Sequence, residues 1–207
     1  EKIGESAFKD CVIDSIELPE TVTSIGAYCF SGCAAFTEVA LPEGVREIGY
    51  RAFYNCTGLE KINYPTGWES CPGYSSFPTV YGHIFEGCKK LTSITIPEGI
   101  TEIPAHAFDG CDGLKKMEIP ASVEKMGEYA VSNCPGLTEL IFKGENLKEI
   151  GAYLLSGNSG LKSLELPDSI TTIGYRAFNS CSSLESVNYP KNWKECPGYS
   201  SFPTVYG

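Results

Sequence analysis

A pattern of 23 residues recurs eight times along this chain, and nothing else in the sequence constrains the fold so tightly. Read from an Ile-Gly pair, the unit runs I-G-x-x-A-F-x-x-C-x-x-L-x-x-I-x-L-P-x-x-V-x-x. It starts at Ile3, Ile25, Ile48, Val80, Ile103, Met126, Ile150 and Ile173. Successive starts lie 22, 23, 32, 23, 23, 24 and 23 residues apart, so one interval carries nine extra residues. A fixed period in this range marks a solenoid whose coils each bury one face against the next. Residues 1–207 are therefore expected to form a single elongated domain of about eight coils. The frame is already running at Glu1 and a ninth unit opens before Gly207, so the sequence reads as a window on a longer array.

Each unit has two halves with different periodicity. In Leu91-Thr92-Ser93-Ile94-Thr95-Ile96 apolar and polar residues alternate toward the end, as in a short strand with one buried face. Pro97 follows and stops the strand, because proline cannot donate to a ladder. In Ile103-Pro104-Ala105-His106-Ala107-Phe108-Asp109-Gly110-Cys111 the apolar residues fall at i, i+4, i+5 and i+8, which predicts one or two helical turns against the strand layer. The expected fold class is an α/β repeat solenoid. Short parallel strands would line its concave face, with short helices or turns on the convex face.

These motifs resemble the leucine-rich repeats of the BspA-like, or Treponema pallidum type, family, whose unit is L-x-x-L-x-L-P-x-x-L-x-x-I-G-x-x-A-F-x-x-C. Residues 36–56, 91–111 and 161–178 match it most clearly, and the resemblance covers the whole chain. Departures are local. The first unit is one residue short between Cys11 and Ile16, Lys143 replaces a strand-ending proline, and Asn158 replaces a cysteine. The resemblance implies a bacterial or protist cell-surface protein whose repeats bind other proteins, such as host extracellular matrix or another surface protein. A longer repetition is superimposed: residues 48–82 and 173–207 agree at 25 of 35 positions, at an offset of 125 residues or five whole units.

Charge narrows the choice of partner. Sixteen Lys and Arg against 26 Asp and Glu give a net charge of −10, which argues against nucleic acid and against anionic lipid. No apolar run approaches the roughly 20 residues that span a bilayer, and no signal peptide opens the chain.

Seven of the ten cysteines (Cys11, Cys33, Cys56, Cys88, Cys111, Cys134, Cys181) hold one place in their units, just after the Phe position. Such a ladder is explained by a small apolar side chain filling a coil corner. A disulfide remains open for Cys29 with Cys33, and for Cys71 or Cys196 with a neighbouring corner; no paired C-x-x-C suggests a metal. No cofactor is expected.

His83 and His106 occupy one position of consecutive units, which elsewhere holds Ser6, Tyr28, Arg51, Tyr129, Tyr153 and Arg176. This stripe is expected to point outward on the convex side, as a solvated row or as a contact stripe rich in Tyr and Arg. The outward strand positions form a second candidate surface: Lys61 and Asn63, Lys116 and Glu118, with Glu60, Thr92, Ser93, Thr95, Lys115, Thr138, Glu139, Ile141, Lys162, Ser163 and Glu165. The insertions near 71–79 and 196–204 supply a third. There Tyr74 and Phe77, with their counterparts Tyr199 and Phe202, belong to a projecting loop of turn residues and rings, or else fold down over the coil junction. Trp68 and Trp193 continue the core register and are expected to be buried.

No nucleophile, base and orienting group can be assembled from these residues. The sequence therefore reads as a non-catalytic, extracellular protein-binding or adhesion module. The alternatives are a structural spacer and a carbohydrate-binding surface built on the loop rings. Coil ends without caps would also give weak self-association.

Overall fold

Backbone hydrogen bonds between equivalent residues of successive coils build the molecule. The computed structural model describes residues 1–73 and 82–197. Two rows of short parallel strands run along it, hydrogen-bonded among the described residues in groups of two to four. The first holds Lys2–Ile3, Ser24–Ile25, Glu47–Ile48, Glu102–Ile103, Lys125–Met126, Glu149–Ile150 and Thr172–Ile173. The second holds Glu38–Val39, Lys61–Ile62, Lys116–Ile119, Glu139–Phe142, Ser163–Leu164 and Ser186–Val187. Pairing is in register one coil apart, Ile25 opposite Ile48 and Met117 opposite Leu140. The second ladder is the strand expected from L-x-x-I-x-L. The first, ending on the Ile of the Ile-Gly pair, was not anticipated, because two residues are too few to show an alternation.

The expected convex helices are absent among the described residues, and their place is taken by turns. The hydrogen bonds give the reason. Ser6, Phe8 and Asp10 donate their N–H groups to the next coil, at Ala27, Cys29 and Ser31. Ala7, Lys9 and Cys11 donate back three residues, to Gly4, Ser6 and Phe8. Every second donor is thus claimed by a neighbouring coil, and an α-helix, which needs all of them within the segment, cannot form. Left-handed residues four apart set the same bend in each coil, as at Tyr28 (φ 55°) and Gly32 (φ 76°). The periodicity marked the inward residues correctly, since Ile103, Ala107, Phe108 and Cys111 are all buried, but the backbone between them is turned.

Inside, Phe8, Phe30, Phe53, Phe85 and Phe108 stack at centroid spacings of 5.4, 5.3, 5.7 and 5.5 Å. Val131 and Leu155 continue the row, fully buried. The stack passes straight through the first insertion, where Arg51, Phe53 and Asn55 donate to Gly82, Ile84 and Glu86. The core is therefore continuous from Phe53 to Phe85 on either side of the insertion. Trp68 is 8% exposed as expected, edge-on to Tyr64 and within the core cluster. Trp193 departs from expectation at 39% exposed, because it lies in the last described coil with no described coil beyond it.

All ten cysteines are free, so the disulfide alternatives fall away. The corner thiols of Cys33, Cys56, Cys88, Cys111 and Cys134 each reach the carbonyl of the Phe one coil before, at 3.0 to 3.2 Å. Burial pushes the Cys29 and Cys134 thiols up to about 12.

Candidate functional site

The outward position that carries His83 and His106 is left-handed in every coil: Ser6, Tyr28, Arg51, His83, His106, Tyr129, Tyr153 and Arg176 have φ between 50 and 57°. A residue with a Cβ resists this conformation, at roughly 1–2 kcal/mol in a helical setting. The second left-handed position of each coil uses the residues that tolerate it, namely Asp10, Gly32, Asn55, Gly87, Gly110, Asn133, Gly157 and Ser180. At the first position most coils keep a ring or a guanidinium instead.

Those rings meet. His83 stacks on His106 at 4.0 Å, His106 on Tyr129 at 4.6 Å, and Tyr129 on Tyr153 at 4.7 Å, with planes within 8 to 11° of parallel. In the two coils with Arg at the position, the preceding residue supplies the ring. Tyr50 bridges Tyr28 and His83 edge-on at 5.4 and 5.2 Å, and Tyr175 meets Tyr153 at 5.5 Å. Arg51 and Arg176 lie over these same tyrosines, at 5.2 and 5.0 Å from the ring centres. Seven rings from Tyr28 to Tyr175 thus form one ridge, half-buried throughout. At about 4.8 Å per coil it is roughly 30 Å long.

Carboxylates fix the imidazoles. His83 Nδ1 lies 2.7 Å from Glu86, which also pairs with Arg51 at 3.4 Å. His106 Nδ1 lies 2.9 Å from Asp109, which accepts hydrogen bonds from Ser132 at 2.7 Å and Asn133 at 2.9 Å. Burial alone would raise the Asp109 carboxyl; the hydrogen bonds from His106, Ser132 and Asn133 outweigh it and hold the group below its usual range. The ladder thiols point into the core while the histidines stand on the ridge, so no thiol–imidazole pair forms between them. Among the described residues no group of three or more His, Cys, Asp or Glu is placed to hold a metal.

On the strand face Lys61 pairs with Glu38 at 4.0 Å. Lys116 bridges Glu118 at 3.2 Å and Glu139 at 3.4 Å, and Glu118 reaches Lys143 at 3.1 Å. These pairs are exposed and individually contribute little to stability. Hydrogen bonding to Glu118 raises the Lys116 ammonium, and hydrogen bonding to Lys143 lowers the Glu118 carboxyl. Asn63 is occupied differently: its amide accepts from Leu41 N at 2.6 Å and donates to Leu41 O at 2.8 Å. Asn188 repeats this on Leu166. Tyr74, Phe77, Tyr199 and Phe202 lie outside the described residues. The sequence showed the stripe but not its stacking, although the Tyr beside each Arg (Tyr50-Arg51, Tyr175-Arg176) was the available signal.

A parallel β-solenoid of 23-residue coils around a continuous apolar core is the architecture of a leucine-rich repeat protein. The sequence profile of the BspA type leucine rich repeat region, in six copies, matches residues 1–77 and 78–203, and the chain belongs to that family. The fold is similar to that of a leucine rich repeat protein from T. pallidum, with 28% identity and a TM-score of 0.65 over 77% of this chain and 71% of that one. It is also similar to a leucine rich cell surface protein from Faecalibacterium prausnitzii, with 27% identity and a TM-score of 0.57 over 98% of this chain and 66% of that one. No curated protein matches. No helix among the described residues is long and apolar enough to cross a membrane.

Proposed function

We propose that this chain is a non-catalytic binding module of a microbial cell-surface protein, and that the ring ridge engages a protein partner. The observation that carries this reading is the retention of Tyr, His and Arg at a left-handed position where glycine would be unstrained. Strain of this kind is kept where the side chain matters, and Tyr and Arg are the residues that dominate interface energetics. Stacking holds the rings in fixed rotamers, so little side-chain entropy is lost when a partner docks. Host extracellular matrix or another surface protein is the partner class, as for an adhesion module. Thiols that are buried and raised in pKa resist oxidation, which is compatible with an extracellular position.

The strand-face charges, Lys61, Lys116 and Glu118, form a second surface that acts with the ridge if the partner wraps the coil. A structural spacer would need neither. The test is binding of the 207-residue chain to immobilised matrix proteins, compared with a His106→Gly/Tyr129→Gly/Tyr153→Gly variant. Glycine removes the rings and relieves the left-handed strain together. Loss of binding by about tenfold or more, with the coil still folded by circular dichroism, supports the ridge; unchanged binding sinks it.

A further inference from the structure

A groove of about 470 Å³ runs beside the ridge, along the coil axis. One wall is the outward row of the first set of strands: Glu102, Lys125, Glu149 and Thr172, in register one coil apart. The other wall is the row of residues just before the ridge positions, among them Glu128 before Tyr129 and Tyr175 before Arg176. Between the walls run Gly127, Gly151 and Gly174, which carry no side chain to fill the space. Tyr175 belongs to groove and ridge alike, since it meets Tyr153 at 5.5 Å. The two surfaces are therefore continuous.

The groove is acidic, and the chain does not neutralise it from within. It holds three carboxylates, Glu102, Glu128 and Glu149, against one ammonium, Lys125. Lys125 pairs with Glu149 at 4.0 Å. Every Lys, Arg and His of the chain lies within the described residues, and none of them pairs with Glu102 or Glu128. Glu102 and Glu149 stand two coils apart, roughly 10 Å at about 4.8 Å per coil. One bound metal ion, with oxygen ligands at about 2.3–2.6 Å, cannot satisfy both. Charges spaced in this way match cations spaced along a chain. Main-chain pairing is already taken here, because Lys125–Met126 is flanked by Glu102–Ile103 on one edge and Glu149–Ile150 on the other. Recognition in the groove therefore falls to side chains.

We propose that this groove takes an extended, basic polypeptide segment of the partner, with successive Lys or Arg side chains on Glu102, Glu128 and Glu149. Alternate side chains of an extended chain point to opposite sides. One basic residue thus reaches the Glu128 wall between two that reach the strand wall. Two extended residues span only about 7 Å, and the long stems of Lys and Arg make up the difference to the carboxylate spacing. Arg176 lies over Tyr175 at 5.0 Å, so that end of the groove repels cations and the basic run sits toward Glu102. The net charge of −10 steers such a segment to the chain. This inference rests on the reading of the ridge as a protein contact and names the charge of what docks beside it.

The probe is a fluorescein-labelled peptide, Ser-Lys-Arg-Lys-Ser-Gly, titrated with the full chain by fluorescence anisotropy. Salt is held at about 0.15 M, where attraction between distant charges is screened. Saturable binding is expected. An exposed ion pair is worth up to about fivefold, so Glu102→Gln/Glu128→Gln should weaken binding by about tenfold. Glu17→Gln/Glu20→Gln makes the same change of net charge at exposed positions of the first coil and should leave binding within about twofold. Lys125→Gln removes the one cation of the groove and should tighten binding, a result that a folding defect cannot mimic. No saturable binding, or equal weakening by the two double variants, overturns the proposal. Displacement of the peptide by an equal concentration of spermidine also overturns it, by assigning the groove to a polyamine. The matrix-binding test of the ridge uses neither this peptide nor these carboxylates, so the two readings fail separately.

Discussion

Asn158 does for Cys134 what a thiol does in the other corners, and does it with two bonds. Its Nδ2 donates to Val131 O at 2.8 Å and its Oδ1 accepts the Cys134 N–H at 2.8 Å, both wholly buried. A corner cysteine makes the first bond from Sγ to the preceding coil's carbonyl, and its sulfur faces the preceding corner's N–H as a weaker acceptor than an amide oxygen. Asn158→Ala should therefore cost about 2–4 kcal/mol, since it strands a buried donor and a buried acceptor. Asn158→Cys replaces both bonds with the weaker ones of a thiol and should fall between Ala and wild type. Urea unfolding of the three proteins decides it; an Ala variant within about 0.5 kcal/mol of wild type would refute the account.

The thiols also fix the alkaline limit. Burial raises Cys29, Cys71 and Cys134 to about 12, and burial with the neighbouring Cys56 raises Cys33 to about 11. An unfolded thiol titrates near 8.5. Above that pH the unfolded chain loses protons that the folded chain keeps, so stability is full below about 8.5 and falls toward 11–12. Each fully buried thiol contributes a slope of about 1.4 kcal/mol per pH unit. Melting temperatures at pH 7, 9 and 10 under reducing conditions should drop progressively over the last two. A flat profile would show that the thiols ionise in place.

Acid should act through Asp109. Its folded pKa is depressed, so its contribution is present above the unfolded value, near 3.9, and is lost as pH falls through the folded one. Asp109→Asn removes that dependence. The wild type should lose stability relative to this variant between about pH 4 and pH 2, as read by thermal melts; parallel profiles would contradict it.

The period of 23 made the coil, the inward residues and the cysteine corner legible before any coordinates, because those features rest on side-chain polarity repeated at one spacing. The backbone did not follow from the same signal. Apolar residues at Ile103, Ala107, Phe108 and Cys111 suit a helix as well as a turned ladder, and polarity cannot tell which N–H is claimed by the next coil. Trp193 was misplaced because register says which way a side chain points, not whether another coil covers it. The ridge was half visible: the stripe could be read, but the ring contacts depend on a left-handed backbone that single residues such as His106 and Tyr153 do not announce.

The glycine of the Ile-Gly pair is a requirement of coil spacing. A Cβ on Gly127 would stand 2.5 Å from Ala105 N and 2.9 Å from Pro104 C, against backbone that cannot yield. Gly4 holds the same position in the first coil and has nothing within 4 Å. Gly127→Ala should thus destabilise by about 1–3 kcal/mol or more, and Gly4→Ala should be neutral. Equal effects in denaturant unfolding would disprove the steric reading.

The left-handed ridge predicts an inverted order of substitution at Tyr129. Alanine removes the stacks on His106 and Tyr153 but keeps a Cβ at φ 54°, whereas glycine removes the same stacks and the strain. Ring stacking is worth about 0.5–1.5 kcal/mol per pair beyond burial, so both variants should lose stability relative to Tyr. Glycine usually costs more than alanine in ordered backbone, by roughly 0.5–1 kcal/mol. Here Tyr129→Gly should be the more stable of the two by about 1 kcal/mol, the scale of the left-handed penalty. Chemical unfolding of both variants measures the difference directly. If Tyr129→Ala proves the more stable, the ridge carries no backbone strain, and the argument that its rings are retained for contact loses its basis.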